Sequence, residues 1–219
     1  MRWIALFLLV SLTMIAMAGY ATEGYRGPLD LPSGGRGAEV EEEAVEVIHF
    51  YGSEYEGDAF FWCLDRSCSM DWGGRIGILK AETTAAIQSL TGASEFSVVA
   101  FSDWTNSWSS IPREATPANR VAASAWVGSL TAEGATCIAP AVATALEIAR
   151  ASDKQEKQVI VLSDGVPTCS SASETLSQVA GANWEGIPIH TIYISSDSEG
   201  IGLMQGIANN SGGTFRLVQ

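Results

Sequence analysis

A chain of 219 residues has room for one domain and a short appendage. Apolar residues make up 47% and charged residues 17%, which excludes wholesale disorder and allows a sizeable core. Lys and Arg number 12 against 25 Asp and Glu, a formal net charge of −13 that argues against nucleic acid and anionic membrane surfaces and biases encounters toward cations and basic partners.

The chain opens with Met1-Arg2, then an apolar run over residues 3–18 interrupted only by Ser11 and Thr13. Ala16-Met17-Ala18 has the small-x-small form of a cleavage site, so residues 1–18 read as a secretory signal cleaved near Ala18. An uncleaved anchor is the alternative, but the run is short for a span of about 20 residues, and no stable membrane span is expected after cleavage. The product is expected to be exported: secreted, periplasmic or held in a cell envelope. Residues 19–44 are broken repeatedly by Gly and Pro and end in Glu41-Glu42-Glu43, the composition of a flexible acidic linker. One domain is expected over residues 45–219.

Within it, residues 45–51 are strand-like, and residues 52–57 read as a hairpin turn into a second strand. Residues 59–64 are continuously apolar and end at Asp65, as expected of a strand buried on both faces. Helical spacing follows over 76–90, another buried strand over 96–101, then helices over 121–130 and 138–150. A strand over 159–162 closes on Ser163-Asp164-Gly165. Next come a helix over 173–183, a strand over 187–194, a short helix over 203–210 and a final strand over 214–218. Apolar strands alternating with amphipathic helices predict an α/β fold, doubly wound, with a mostly parallel sheet covered by helices on both faces and an extra N-terminal β-hairpin strand. In such sheets the site lies beyond the C-terminal strand ends, where the strand order reverses.

Three of these loops carry oxygen ligands. Asp65, Ser67 and Ser69 alternate directly after the most apolar strand, Asp164 closes another, and Thr136 lies just before a helix. Hydroxyls and carboxylates with no converging His or thiolate suit a hard divalent cation, Mg²⁺ first, with Mn²⁺ or Ca²⁺ as alternatives. Read as turn and capping residues, the same side chains would have no such role.

At these positions the chain resembles the von Willebrand factor type A domain, whose metal-ion-dependent adhesion site is written Asp-x-Ser-x-Ser, then Thr, then Asp, in three loops. Asp65, Ser67, Ser69, Thr136 and Asp164 match all five in order, and Met70, Gly165 and the closing pattern over residues 207–215 fit as well. The resemblance implies a cation held by these five residues and a protein partner that presents an Asp or Glu to it, as in cell adhesion. Position 68, often Gly in the family, is Cys here. Cys63, Cys68, Cys137 and Cys169 all fall near the same predicted edge; an exported protein invites bridges, four cysteines allow three pairings, and a Cys137–Cys169 disulfide is the one favoured.

A Ser or Cys nucleophile would have only His49 or His190 as base, and both lie in strand-like runs, so no catalytic role is expected. Asp65 and Asp164 as an acid–base pair would lose the necessary proton to a metal between them. Trp72, Trp104 and Trp108 fall in loops near the site or beside the sheet, where contact surface and sheet-edge packing are equally good readings. The expected function is thus an exported, metal-dependent protein-binding module. A metal-dependent hydrolase and a structural envelope scaffold are its competitors.

Overall fold

The computed structural model describes residues 45–219; the predicted signal segment and linker lie outside the described residues. Strands β1 (Glu46–Phe50) and β2 (Ser53–Gly57) form an antiparallel hairpin. Its turn is only Tyr51-Gly52, with φ of 50° and 69°, the left-handed pair whose twist matches that of the strands it joins. The stretch read as a turn over 52–57 is therefore mostly strand. Glu54 and Glu56 point to solvent while Tyr55 between them is buried, so charge on one face masked the alternation.

The main sheet has seven strands. Strand β3 (Ala59–Asp65) leads through a 3₁₀ segment (Cys68–Gly74) and helix α1 (Arg75–Ser89) to β4 (Glu95–Phe101). Two short strands, β5 (Thr105–Ser107) and β6 (Arg113–Glu114), fold back antiparallel on β4. Helices α2 (Pro117–Ser129) and α3 (Ile138–Arg150) precede β7 (Lys157–Ser163). The chain then alternates α4 (Ala172–Ala182), β8 (Ile189–Tyr193), α5 (Ser198–Ser211) and β9 (Phe215–Leu217). The order is β5-β4-β3-β7-β8-β9, with β3, β4, β7, β8 and β9 parallel.

Strand β3 is buried along its whole length and divides its side chains by period two. Phe60, Trp62 and Leu64 enter one core with α1, α2 and the hairpin, while Ala59, Phe61 and Cys63 enter another with α3, α4 and α5. Each such large side chain contributes about 1.5–3 kcal/mol through burial. The hairpin completes the cover on the first face without joining the sheet's ladder. Tyr55 meets His190 edge-on at 4.9 Å, Gln158 Nε2 donates to the Glu56 carbonyl at 2.8 Å, and Arg216 Nη1 donates to Ser53 Oγ at 3.3 Å.

Helix α5 starts five residues before the predicted 203. Asp197 caps it, its carboxylate accepting from the Glu199 and Gly200 amides, and two early glycines hid the helical pattern. Gly200 is required there, since a Cβ would lie 2.0 Å from Tyr193 Oη. Helix α2 likewise begins earlier than 121, at Pro117, behind the Thr116 cap.

The winding reverses between β3 and β7. From β3 the chain passes to β4 on one side; from β7 it passes to β8 and β9 on the other. The loops leaving β3 and β7 diverge at this point and open a crevice at their C-terminal ends.

Candidate functional site

Asp65 is the last residue of β3, and Asp164 follows the last residue of β7, so sheet pairing alone sets both carboxylates at the crevice. Backbone hydrogen bonds then tie the loops together. Cys68 N donates to the Gly134 carbonyl at 3.1 Å, Glu133 N to the Arg66 carbonyl at 2.7 Å, and Thr168 N to the Thr136 carbonyl at 3.0 Å. Thr136 N in turn donates to Thr168 Oγ1 at 2.9 Å. One residue beyond each threonine, Cys137 and Cys169 form a disulfide with a Cα separation of 5.2 Å. The bridge staples the loop of Thr136 to the loop that follows Asp164. Cys63 and Cys68 are free, the first buried and the second exposed; burial and the nearby Asp65 carboxylate push the Cys63 thiol up.

Asp65 is fully buried. Its Oδ1 accepts from the Ser67 amide at 2.7 Å and its Oδ2 from the Ser163 hydroxyl. Burial pushes its carboxyl up to about 6; the Ser163 and Ser67 hydrogen bonds oppose that rise and the Asp164 charge adds to it. The Ser67 and Ser69 hydroxyls lie 3.1 Å apart, and Ser69 Oγ donates to Asp164 Oδ1 at 2.6 Å. Thus Asp65, Ser67, Ser69 and Asp164 form one hydrogen-bonded series, its first link through the Ser67 amide and the others between oxygens. The Thr136 hydroxyl reaches the same loop from the third side: a Cβ on Gly165 would come within 3.1 Å of Thr136 Oγ1. Only glycine at 165 leaves that oxygen its place without displacement.

The five predicted residues therefore share one edge, four of them in a direct hydrogen-bonded series and Thr136 against Gly165. Two carboxylates and three hydroxyls, with no imidazole or thiolate among them, are the donor set of a hard, oxygen-preferring cation. Among the described residues no group of three or more His, Cys, Asp or Glu is arranged to hold a metal, so any cation here would depend on the hydroxyls.

The pattern of residues missed Arg75. Its Nη1 donates to Asp164 Oδ2 at 2.6 Å, and the Asp164 side chain is fully buried while that of Arg75 is 30% exposed. A cation as the first residue of a helix is on the unfavourable side of the helix dipole, and that was the available signal. Arg66 is also buried beside the site, paired with Glu133 Oε1 at 2.5 Å. The tryptophans separate into two kinds. Trp108 stacks on Phe96 at 5.0 Å and is structural, whereas Trp72, in the 3₁₀ segment after β3, and Trp104, just after β4, are 70% and 59% exposed at the C-terminal edge. His49 faces solvent near Glu54, and His190 is bonded to Thr214 and Gln158; neither is hydrogen-bonded to a site residue.

The von Willebrand factor type A domain family matches residues 73–217, a span that includes Thr136 and Asp164 and opens just after the Asp65–Ser69 loop. No curated protein matches the chain. Among solved structures, the fold is similar to a von Willebrand factor type A protein from Catenulispora acidiphila, at 21% identity and a TM-score of 0.68, over 80% of this chain and 45% of that one. It is similar to the PilB minor pilin of Streptococcus sanguinis, at 14% identity and a TM-score of 0.57, over 74% of this chain and 57% of that one. It is also similar to the pilus adhesin SpaC of Lactobacillus rhamnosus GG in its open conformation, at 16% identity and a TM-score of 0.63, over 74% and 28%. These likenesses establish the fold. The chain spans about half the length or less of the first and last of these proteins.

Proposed function

The chain belongs to the von Willebrand factor type A domain family, and from that footing we propose that it is an exported, metal-dependent protein-binding module. In this reading Asp65, Ser67, Ser69, Thr136 and Asp164 hold a divalent cation, Mg²⁺ before Mn²⁺ or Ca²⁺, and an Asp or Glu of a protein partner completes its coordination. The observation that carries the reading is the convergence of these oxygens at the switch point of the sheet. When bound, the cation supplies a positive charge with an open position that a carboxylate from another molecule can fill.

The chain's own residues do the rest. The backbone bonds and the Cys137–Cys169 bridge hold the ligand loops in place before any partner arrives, which lowers the ordering cost of binding. Exposed Trp72 and Trp104 offer apolar contact around a charged centre, and Trp is frequent among residues that dominate interface energies. Discrimination among acidic partners falls to these loops, because a cation accepts any carboxylate. A minor pilin and a pilus adhesin among the similar folds support an envelope or exported setting, and no helix of the described residues is long and apolar enough to cross a membrane. We assign no catalytic role.

Thermal melts of the purified protein in chelator, Mg²⁺, Mn²⁺ or Ca²⁺, repeated with Asp65→Ala, test the proposal. A cation at about 100 times its dissociation constant adds ~2.7 kcal/mol, or about 5–11 °C for a domain of this size. The expected result is a rise in the parent that is lost in the variant. Peptides bearing Asp or Glu should then bind only with the cation, their Asn or Gln counterparts should not, and Trp72→Ala with Trp104→Ala should weaken binding without lowering the melting temperature. No shift with any cation refutes the metal, and turnover of ester or phosphoester substrates would favour a hydrolase.

A further inference from the structure

We infer that Arg75 is a tethered cation that occupies Asp164 when no metal is bound and must leave it when one binds, so that this ion pair sets the metal affinity of the site. The inference rests on the metal reading above and concerns its regulation. Both oxygens of the Asp164 carboxylate are already taken by protein donors, Oδ1 by the Ser69 hydroxyl and Oδ2 by the Arg75 guanidinium, each at 2.6 Å. Asp65, by contrast, has only neutral donors, the Ser67 amide and the Ser163 hydroxyl. The site therefore compensates one of its two buried carboxylates from within. A buried carboxylate without a partner is costly, and removing one member of such a pair leaves that cost exposed.

A divalent cation reverses the account. It neutralises both carboxylates and leaves the guanidinium beside it as surplus positive charge, repelled over a short distance in a poorly solvated crevice. The structure gives Arg75 the means to leave. Its side chain is 30% exposed, and Asp164 is its hydrogen-bond partner among the described residues. It follows Gly73 and Gly74, both left-handed with φ of 61° and 73° and with open space where a Cβ would stand. It also lines an open cavity of about 590 Å³ with Tyr51, Ile78, Ile194, Ser195 and Val218, which leaves the guanidinium room to swing off Asp164 toward solvent. Position adds to this: as the first residue of α1, Arg75 opposes the helix dipole, so its attraction to Asp164 is what favours the inward pose.

The test compares the parent, Arg75→Gln, Asp164→Asn and the double variant, by thermal melts in chelator and by calorimetric titration with Mg²⁺. In chelator, Arg75→Gln should melt below the parent, and the same substitution should have no effect in the Asp164→Asn background. In the titration Arg75→Gln should bind Mg²⁺ more tightly by about ten- to a hundredfold, the factor that one charge-assisted hydrogen bond is worth. A parent that binds Mg²⁺ while Arg75→Gln binds it equally or more weakly overturns the inference and leaves the metal reading intact. Binding by Arg75→Gln alone supports it in its strongest form, and binding by neither refutes the metal reading and the inference with it. If Arg75→Gln does not fold in chelator, ¹⁵N NMR of the Arg75 side chain in the parent carries the test: a guanidinium resonance that moves to the solvent-exposed position as Mg²⁺ saturates the site supports the inference, and one that stays in place while Mg²⁺ binds overturns it.

Discussion

Asp65 gives the most direct physical test of the site, because its charge is held where the fold disfavours it. The perturbation is Asp65→Asn, which keeps the shape; Oδ1 still accepts from the Ser67 amide, and the new Nδ2 donates to Ser163 Oγ in place of accepting from it. Burial raises the native carboxyl from 3.8 to about 6. Below pH ~4 the group is protonated in both folded and unfolded chains and costs nothing. As the pH rises through ~6 the unfolded chain has already released its proton, so the folded state alone resists ionisation and stability is lost. Two pH units at ~1.4 kcal/mol each make that loss about 3 kcal/mol. Urea unfolding of parent and variant in chelator, from pH 4 to 8, reads the difference directly and cancels the titration of every other carboxylate. Expected is a difference near zero at pH 4 that grows to about 3 kcal/mol in favour of Asp65→Asn by pH 7.5. Saturating Mg²⁺ should restore the parent alone. A difference that does not change with pH, or a variant less stable than the parent at pH 7.5, refutes the reasoning.

The disulfide closes a loop of sequence separation 32, so replacing Cys137 and Cys169 by Ser should lower stability by about 3.5–4 kcal/mol on the chain-entropy estimate; a change below ~1 kcal/mol in denaturant unfolding would assign the bridge to site geometry alone. His190 is held neutral by burial, its protonation lowered from 6.5 to about 4. Because the unfolded chain takes the proton first, stability should fall as the pH drops from 6.5 toward 4; His190→Gln should lack that slope, so that the parent-minus-variant difference shows it alone. Gly213→Ala would place a Cβ 2.1 Å from the Ile189 carbonyl oxygen and should cost about 3 kcal/mol or more. Neighbouring Gly212 has φ of 75° and open space around it, so Gly212→Asn should cost less than ~1 kcal/mol in the same melts.

What could be read from the chain follows from which interactions are local. Strands β3, β4 and β7 carry apolar runs, that of β4 broken only by buried Ser97, because both faces are covered, and α3 occupies the expected 138–150 because its apolar face is wide. Strands β2, β5 and β6 were hidden because they lie at edges or in the separate hairpin, where at least one face meets water. Asp65 and Asp164 were legible since each ends a recognisable strand. Arg75 was not, because its partner lies 89 positions away and nothing periodic links them. The same holds for the cysteines: which of three pairings forms is decided by the approach of the 136–137 and 168–169 segments, a tertiary event. The tryptophans needed the sheet edge itself, since only the stack on Phe96 separates Trp108 from Trp72 and Trp104.

The hairpin has a mechanical consequence. Its first strand receives the chain that precedes residue 46, and its second passes directly into β3, so Glu46 and Gly57 sit opposite one another at the open end of the ladder. Tension applied through the N-terminal segment would load that ladder from its open end and part its rungs one pair at a time, Glu46 from Gly57 first and Phe50 from Ser53 last. The parallel strands of the main sheet would meet the load only afterwards, and along their length, where many hydrogen bonds resist together. A pull on the N-terminal segment would thus be spent on the hairpin while Asp65, at the far end of β3, stays in register with its neighbours.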